Sequence, residues 1–231
     1  MINEIYDKVI NGNWRISGFF RGINKLFAYN EQEKQILTCM DFISWNEIRG
    51  DYLEFGVFAG RNFIKAYHFA KNKNIKGMRF FAFDSFEGLP ELTGKDKDSK
   101  QFFKGQFNCS LEDFKQICKK KNVNLSEVIT IKGWFNKVLN KKLKDNYNIK
   151  KAAYIFIDVD LYESTVPVLE FVTDLIQDGT IIVFDDYFCE DGDPRKGERK
   201  AFEDWVKKNN FIVTPYKNYN WNGVSFILHK K

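Results

Sequence analysis

A chain of 231 residues, 44% hydrophobic and 29% charged, is long enough to bury one sizeable core and too evenly mixed for a disordered tail. Lys and Arg number 36 against 31 Asp and Glu, and a net charge of +5 with no RNP-like or zinc-finger pattern makes no case for nucleic acid. Phe is in excess at 24, against 4 Pro and 15 Gly, so the fold needs a deep core or an apolar pocket to shelter the rings.

No stretch approaches the roughly 18 consecutive apolar residues that a spanning helix needs, so no membrane span is expected. Met1 to Gly18 holds no apolar run of signal-peptide kind, and a cytoplasmic location is expected. Cys39, Cys109, Cys118 and Cys189 are scattered without a CxxC pair, which excludes zinc-ribbon and thioredoxin readings and suits free thiols. Lys119 to Lys121 and Lys141-Lys142 read as solvated helix faces.

No repeat or linker divides the chain. Residues 1–45 carry weak helical periodicity around Gln35, Ile36, Leu37 and Met40. From Asp51 short apolar runs alternate with helical patterns, the mark of a parallel sheet covered on both faces. Strands are expected at Tyr52 to Val57, Met78 to Phe83, Val128 to Ile131, Ala152 to Ile157 and Thr180 to Phe184. Between the last two, Val168, Leu169, Val172, Leu175 and Ile176 recur at helical spacing, with Ser164 or Thr165 as cap, Pro167 in the first turn and Gly179 at the end. A helix over Glu198 to Lys208 buries Ala201, Phe202, Trp205 and Val206. Phe211 to Tyr216 and Val224 to His229, joined at Asn222-Gly223, form a hairpin. The expected fold is α/β, a Rossmann-like doubly wound and mainly parallel sheet ending in an antiparallel hairpin.

Such a sheet binds ligands beyond the carboxyl ends of its strands. After the first strand, Gly56 and Gly60 permit a tight turn into a helix and close approach of a ligand to backbone N–H groups. The spacing is neither GxGxxG nor a P-loop. The second strand ends in Asp84, followed by Ser85; an acid at this place suits a hold on ribose hydroxyls. The third runs into Gly133, Trp134 and Phe135, where rings could line a base-sized slot. The fourth ends in Asp158-Val159-Asp160 and the fifth in Asp185-Asp186. Four carboxylates on neighbouring strand ends are unfavourable without a cation between them, and an all-oxygen set suits Mg²⁺, Mn²⁺ or Ca²⁺ rather than zinc. His68 and His229 offer no competing centre, and no nucleophile motif occurs. Phe55, Phe58, Phe86 and Phe135 fall at strand ends and are expected around the ligands.

YLEFGVFAGRNF, FDSFEGLPE, IKGWF, IDVDLYEST and FDDY, in order over about residues 50–205, resemble the macrocin O-methyltransferase family. That resemblance implies a class I enzyme using S-adenosylmethionine (SAM) and Mg²⁺ to methylate a sugar hydroxyl. It implies a SAM-binding domain over residues 46–231 and a helical cap over the substrate from residues 1–45. Carried over, Glu54, Gly56 and Gly60 hold the methionine part of SAM, Asp84 with Ser85 beside it meets the ribose, and Gly133 and Trp134 lie near the adenine. Asp158, Asp185 and Asp186 match the family's metal ligands and Asp160 its general base. The chain departs at Phe156, where the family often has His. Abundant Lys, Asn, Ile and Phe with scarce Pro and Gly suit an AT-rich coding sequence. The acceptor expected from this is a bacterial surface glycan or nucleotide-linked sugar before a glycosylated natural product. Phe86, Leu89 and Thr93 to Phe107 would edge its pocket, and a homo-oligomer is expected. The alternatives are a metal-dependent phosphohydrolase acting on sugar phosphates, and a non-catalytic SAM-binding partner subunit.

Overall fold

The computed structural model describes residues 29–231; the cap expected over the first 45 residues falls mostly outside them. Helix α1 (Glu31–Trp45) opens the described chain, with the Asn30 side chain accepting the Glu33 N–H as its cap. There follow β1 (Asp51–Phe55), α2 (Arg61–Asn72), β2 (Phe80–Asp84), α3 (Leu111–Lys120), β3 (Val128–Lys132) and the short helices α4 (Phe135–Val138) and α5 (Lys141–Tyr147). The second half holds β4 (Ala152–Ile157), α6 (Tyr162–Val172), β5 (Thr180–Phe184), α7 (Gly197–Asn209), β6 (Ile212–Tyr219) and β7 (Gly223–His229). Among the described residues no helix is long and apolar enough to cross a membrane.

The sheet runs β3-β2-β1-β4-β5-β7-β6, with β1 to β5 parallel and β7 antiparallel to both β5 and β6. Every residue of β1, β4 and β5 is buried, as a strand covered on both faces requires. One face packs Tyr52, Phe80, Tyr154 and Phe156 against α1 and α2, through Ile36, Met40 and Phe63. The other packs Phe55, Phe83, Ile157 and Phe184 against α6 and α7, through Leu169, Phe171 and Phe202. The chain therefore turns outward in opposite senses from β1 and β4, and a crevice opens between their carboxyl ends.

Three local expectations change. Helix α6 begins at Tyr162, not at Ser164 or Thr165, because its cap comes from far away. The buried Asp96 carboxylate accepts the N–H groups of Tyr162 at 2.8 Å and Glu163 at 2.9 Å. Pro167 thus lies in the second turn, and Leu175 and Ile176 fall beyond the α-helix, in and after a 3₁₀ turn. The hairpin turn is displaced too: Asn220 is its left-handed residue (φ 49°), and Gly223 already belongs to β7. A Cβ there would come within 2.3 Å of the Tyr219 ring, so Gly223 serves packing and not the turn. Strand β6 runs on to Tyr219, with its Pro215 at an irregularity on the sheet edge, where a missing N–H is tolerated.

Candidate active site

A cleft of about 820 Å³ lies across the carboxyl ends of β1 to β5. Gly56, Asp84, Ser85, Gly133 and Trp134 line it, as do Asp158, Asp160, Asp185 and Asp186. Among the aromatic rings at strand ends, Phe58 and Phe135 line it, joined by Phe107, whose ring centroid stands 6.0 Å from that of Phe58. Phe55 and Phe86 do not: Phe55 stacks on Phe83 at 4.5 Å within the core, and Phe86 packs on Phe114. Leu89, Thr93, Asp96 and the stretch Lys104 to Phe107 form the outer wall.

The glycine turn owes its composition to the chain itself. Gly56 has φ +79°, and a Cβ on it would stand 1.8 Å from the Asp158 carbonyl oxygen. The β1–α2 turn and the acidic end of β4 are pressed together at a distance that only glycine permits. Gly60 is the left-handed N-cap of α2 and packs against Phe114, outside the cleft lining. Asp84 spends its carboxylate on backbone: Oδ2 accepts from Val57 N–H at 2.8 Å and Phe58 N–H at 3.0 Å, and Oδ1 from Phe86 N–H at 2.7 Å. It thereby fixes the turn that shapes the cleft floor.

Glu54 lies beneath the cleft rather than in it, 1% exposed, with the Tyr52 hydroxyl donating to it. Burial lifts its carboxyl from 4.5 to about 8, the nearby Asp185 and Asp84 adding to the effect. A carboxyl whose folded pKa lies above its unfolded value contributes stability below about pH 4.5 and loses it as pH rises through about 8. Stability of the ligand-free chain should therefore fall across that window, by on the order of a few kcal/mol from this group. Glu54→Gln, uncharged throughout, should flatten that slope, as denaturant melts at pH 5 and pH 8.5 would measure.

The acidic strand ends are the centre of the site. Ligand atoms of Asp158, Asp160 and Asp186 lie within 4.8 Å of one another. Asp158 and Asp160 are both held well above the ordinary carboxylate range, first by burial and then by their acidic neighbours. Asp160 sits at φ 63°, a left-handed conformation that bends the chain out of β4 towards the cluster. Asp185 stands apart from this triplet. Its Oδ1 accepts from Gln32 Nε2 and from the Tyr219 hydroxyl, each at 2.7 Å, and burial raises its pKa to about 6.

Sequence reasoning missed the residue that joins the two acidic ends. Glu198, on the first turn of α7 and 0% exposed, accepts the Val159 N–H through Oε1 and the Asp186 N–H through Oε2, both at 3.0 Å. Acids are common in the first turn of a helix, and nothing local to Glu198 in the chain points at the strand ends. Gln32 and Tyr219 were missed for the same reason. Arg61 and Asn62 also line the cleft, with Asn62 Nδ2 3.4 Å from Asp158 Oδ2.

Three carboxylates within reach of one ion, Asp160 buried and Asp158 and Asp186 half-buried, all oxygen donors, fit a hard divalent cation and not zinc. The adjoining cleft, with a carboxylate-braced turn at β1 and aromatic rings at its side, fits a nucleoside-bearing cofactor. Comparisons with known proteins agree on the fold. The curated 8-demethyl-8-(2,3-dimethoxy-alpha-L-rhamnosyl)-tetracenomycin-C 4'-O-methyltransferase of Streptomyces olivaceus is 26% identical over 154 residues, 64% of this chain and 57% of the relative. The demethyldecarbamoylnovobiocin O-methyltransferase of Streptomyces niveus is 24% identical over 167 residues, 68% of this chain and 62% of the relative. The alignments thus span less than two thirds of these relatives' length. The solved structure of the O-methyltransferase NovP superposes with a TM-score of 0.74 at 20% identity, covering 87% of this chain and 80% of that one. The family model described as Macrocin-O-methyltransferase (TylF) matches residues 29–227. The chain belongs to the macrocin O-methyltransferase family.

Proposed function

We propose that this protein is a SAM-dependent, Mg²⁺-dependent O-methyltransferase that acts on a sugar hydroxyl. The observation that carries the reading is the convergence of Asp158, Asp160 and Asp186 at the switch point of the sheet, beside a turn braced by Asp84. Family membership favours it over a sugar-phosphate phosphohydrolase. The two curated relatives, by their names, methylate a rhamnosyl-tetracenomycin and a novobiocin precursor, which supports a sugar-bearing acceptor here. Composition favours a surface glycan or nucleotide-linked sugar, whereas those names favour a glycosylated natural product.

Asp158 and Asp186 would hold the cation, with Asp185, the third acid that the family resemblance names, bonded instead to Gln32 and Tyr219 beside them; the cation would supply Lewis acidity to an acceptor hydroxyl. SAM, held by the wall from Gly56 through Asp84 and Ser85 to Gly133 and Trp134, supplies an activated methyl group. The chain's own part is to aim and to deprotonate. A sugar hydroxyl is a poor nucleophile at neutral pH, and Asp160 takes its proton as methyl transfer proceeds. Phe58, Phe107 and Phe135 border the same cleft with apolar surface. Arg61, at the start of α2, faces the same volume and suits the carboxylate of the methionine moiety.

Calorimetry with SAM, followed by transfer assays on nucleotide-linked sugars, glycan fragments and glycosides with and without EDTA, tests the reading. Micromolar SAM binding and turnover that EDTA abolishes and Mg²⁺ restores are expected. Tight SAM binding with turnover indifferent to EDTA would remove the metal from the mechanism. SAM binding without turnover on any acceptor would favour the partner-subunit reading.

A further inference from the structure

Asp158 and Asp160 end one strand and Asp186 ends its neighbour, and like charges on two separate loops should push those loops apart whenever no ion is bound. Something in the chain must hold the loops at the separation an ion needs. The ladder hydrogen bonds cannot do it alone. The last ones are Asp158 N–H to Phe55 and Asp185 N–H to Ile157, both at 2.9 Å, and neither reaches Asp160 or Asp186.

Glu198 spans the gap beyond them. Its two oxygens take the N–H of Val159, between the first two aspartates, and the N–H of Asp186 itself, both at 3.0 Å. The side chain is fully buried, and no other polar group is bonded to either N–H among the described residues. The helix that carries it abuts the same place: an added Cβ on Gly197 would lie 3.6 Å from the Asp160 carbonyl oxygen. The positive end of α7 therefore also faces the acidic cluster. Only glutamate suits this position. Aspartate is one methylene short of reaching both loops from α7, and glutamine offers one acceptor where two N–H donors need one each.

We propose that Glu198 is a positioning residue for the cation site, a carboxylate clamp that fixes the spacing of the two acidic strand ends so that their aspartates converge on one ion. The proposal rests on the divalent-cation reading of the site. It assigns Glu198 no contact with the ion or the acceptor. Its action is transmitted through two backbone N–H groups, and so it should show in cation affinity before it shows in SAM affinity.

The test is Mn²⁺ titration by calorimetry or electron paramagnetic resonance of the full chain, beside SAM titration and thermal melts, for wild type, Glu198→Gln and Glu198→Ala. Loss of such an outer partner costs about 10–100-fold in metal affinity. Expected are a cooperative melt, SAM affinity within about threefold of wild type, and Mn²⁺ binding weakened about 10–100-fold in both variants. Unchanged Mn²⁺ affinity in folded variants would overturn the proposal while leaving the cation reading intact. Equal losses of SAM and Mn²⁺ affinity, or failure of both variants to melt cooperatively, would make Glu198 a general core group and overturn it. Absence of Mn²⁺ binding in wild type would overturn the cation reading, and the clamp with it.

Discussion

Asp160→Asn is expected to lower kcat by about 10²–10⁴-fold, the range that a positioned general base contributes. Asparagine is the variant to use because Asp160 sits at φ 63°, a left-handed conformation that Asn tolerates nearly as well as Gly does. The bend out of β4 and the packing of the loop should therefore survive, and the melt should be close to that of wild type. What the variant loses is the ability to take a proton. The measurement that decides the residue's role is a pair of titrations beside the kinetics. If Asp160 is the base, SAM and Mn²⁺ affinities stay within about threefold while kcat falls. If it is instead a ligand to the ion, as its place in the converging triplet with Asp158 and Asp186 allows, Mn²⁺ affinity falls with it. Full activity in the variant would remove Asp160 from the chemistry.

Gly56→Ala is expected to be the most damaging alanine substitution among the described glycines. The residue holds φ +79°, which costs a non-glycine residue about 1–2 kcal/mol. The new methyl would also stand 1.8 Å from the Asp158 carbonyl oxygen, backbone that cannot swing aside. Relief requires the end of β4 to move, against the hydrogen bond from Asp158 N–H to Phe55. A total cost above about 3 kcal/mol is expected, near the upper range for single substitutions. For a domain of this size that is a loss of about 6–12 °C in Tm. Gly77→Ala is the control, because Gly77 has φ +77° but nothing within 4 Å of its would-be Cβ. It should show the backbone cost alone, and the difference between the two isolates the clash. A Gly56→Ala protein that does fold should also bind Mn²⁺ poorly, since Asp158 is the residue displaced.

Much of this was legible in the sequence. Continuous apolar runs such as AAYIFI and TIIVF can be satisfied only by a strand buried on both faces, so their number and spacing imply a doubly wound sheet. Strand ends are where such sheets bind ligands, which makes Asp84, Asp158, Asp160, Asp185 and Asp186 candidates from their position alone. Local signals failed where a distant group overruled them. Helix α6 starts at Tyr162 because Asp96, from a loop 66 residues earlier, supplies the cap that Ser164 and Thr165 were expected to provide. Glu54 reads as a ligand-facing acid beside the glycine turn, yet it points beneath the cleft, where a carboxyl must be paired with a donor and Tyr52 is that donor.

The sequence by itself determined the sheet, the family and the clustering of acids at two strand ends, because those follow from periodicity and from order along the chain. Only the tertiary structure decided which acids act together. Asp185 and Asp186 are neighbours in the chain and equivalent in composition. One is drawn aside by Gln32 on α1 and Tyr219 on β6, the other is held in the triplet, and Glu198 on α7 bonds the two loops to each other. Those contacts bridge 12 to 153 residues of chain. Their energies depend on burial and on donor geometry at the meeting point, and neither quantity exists until the sheet has brought the elements together.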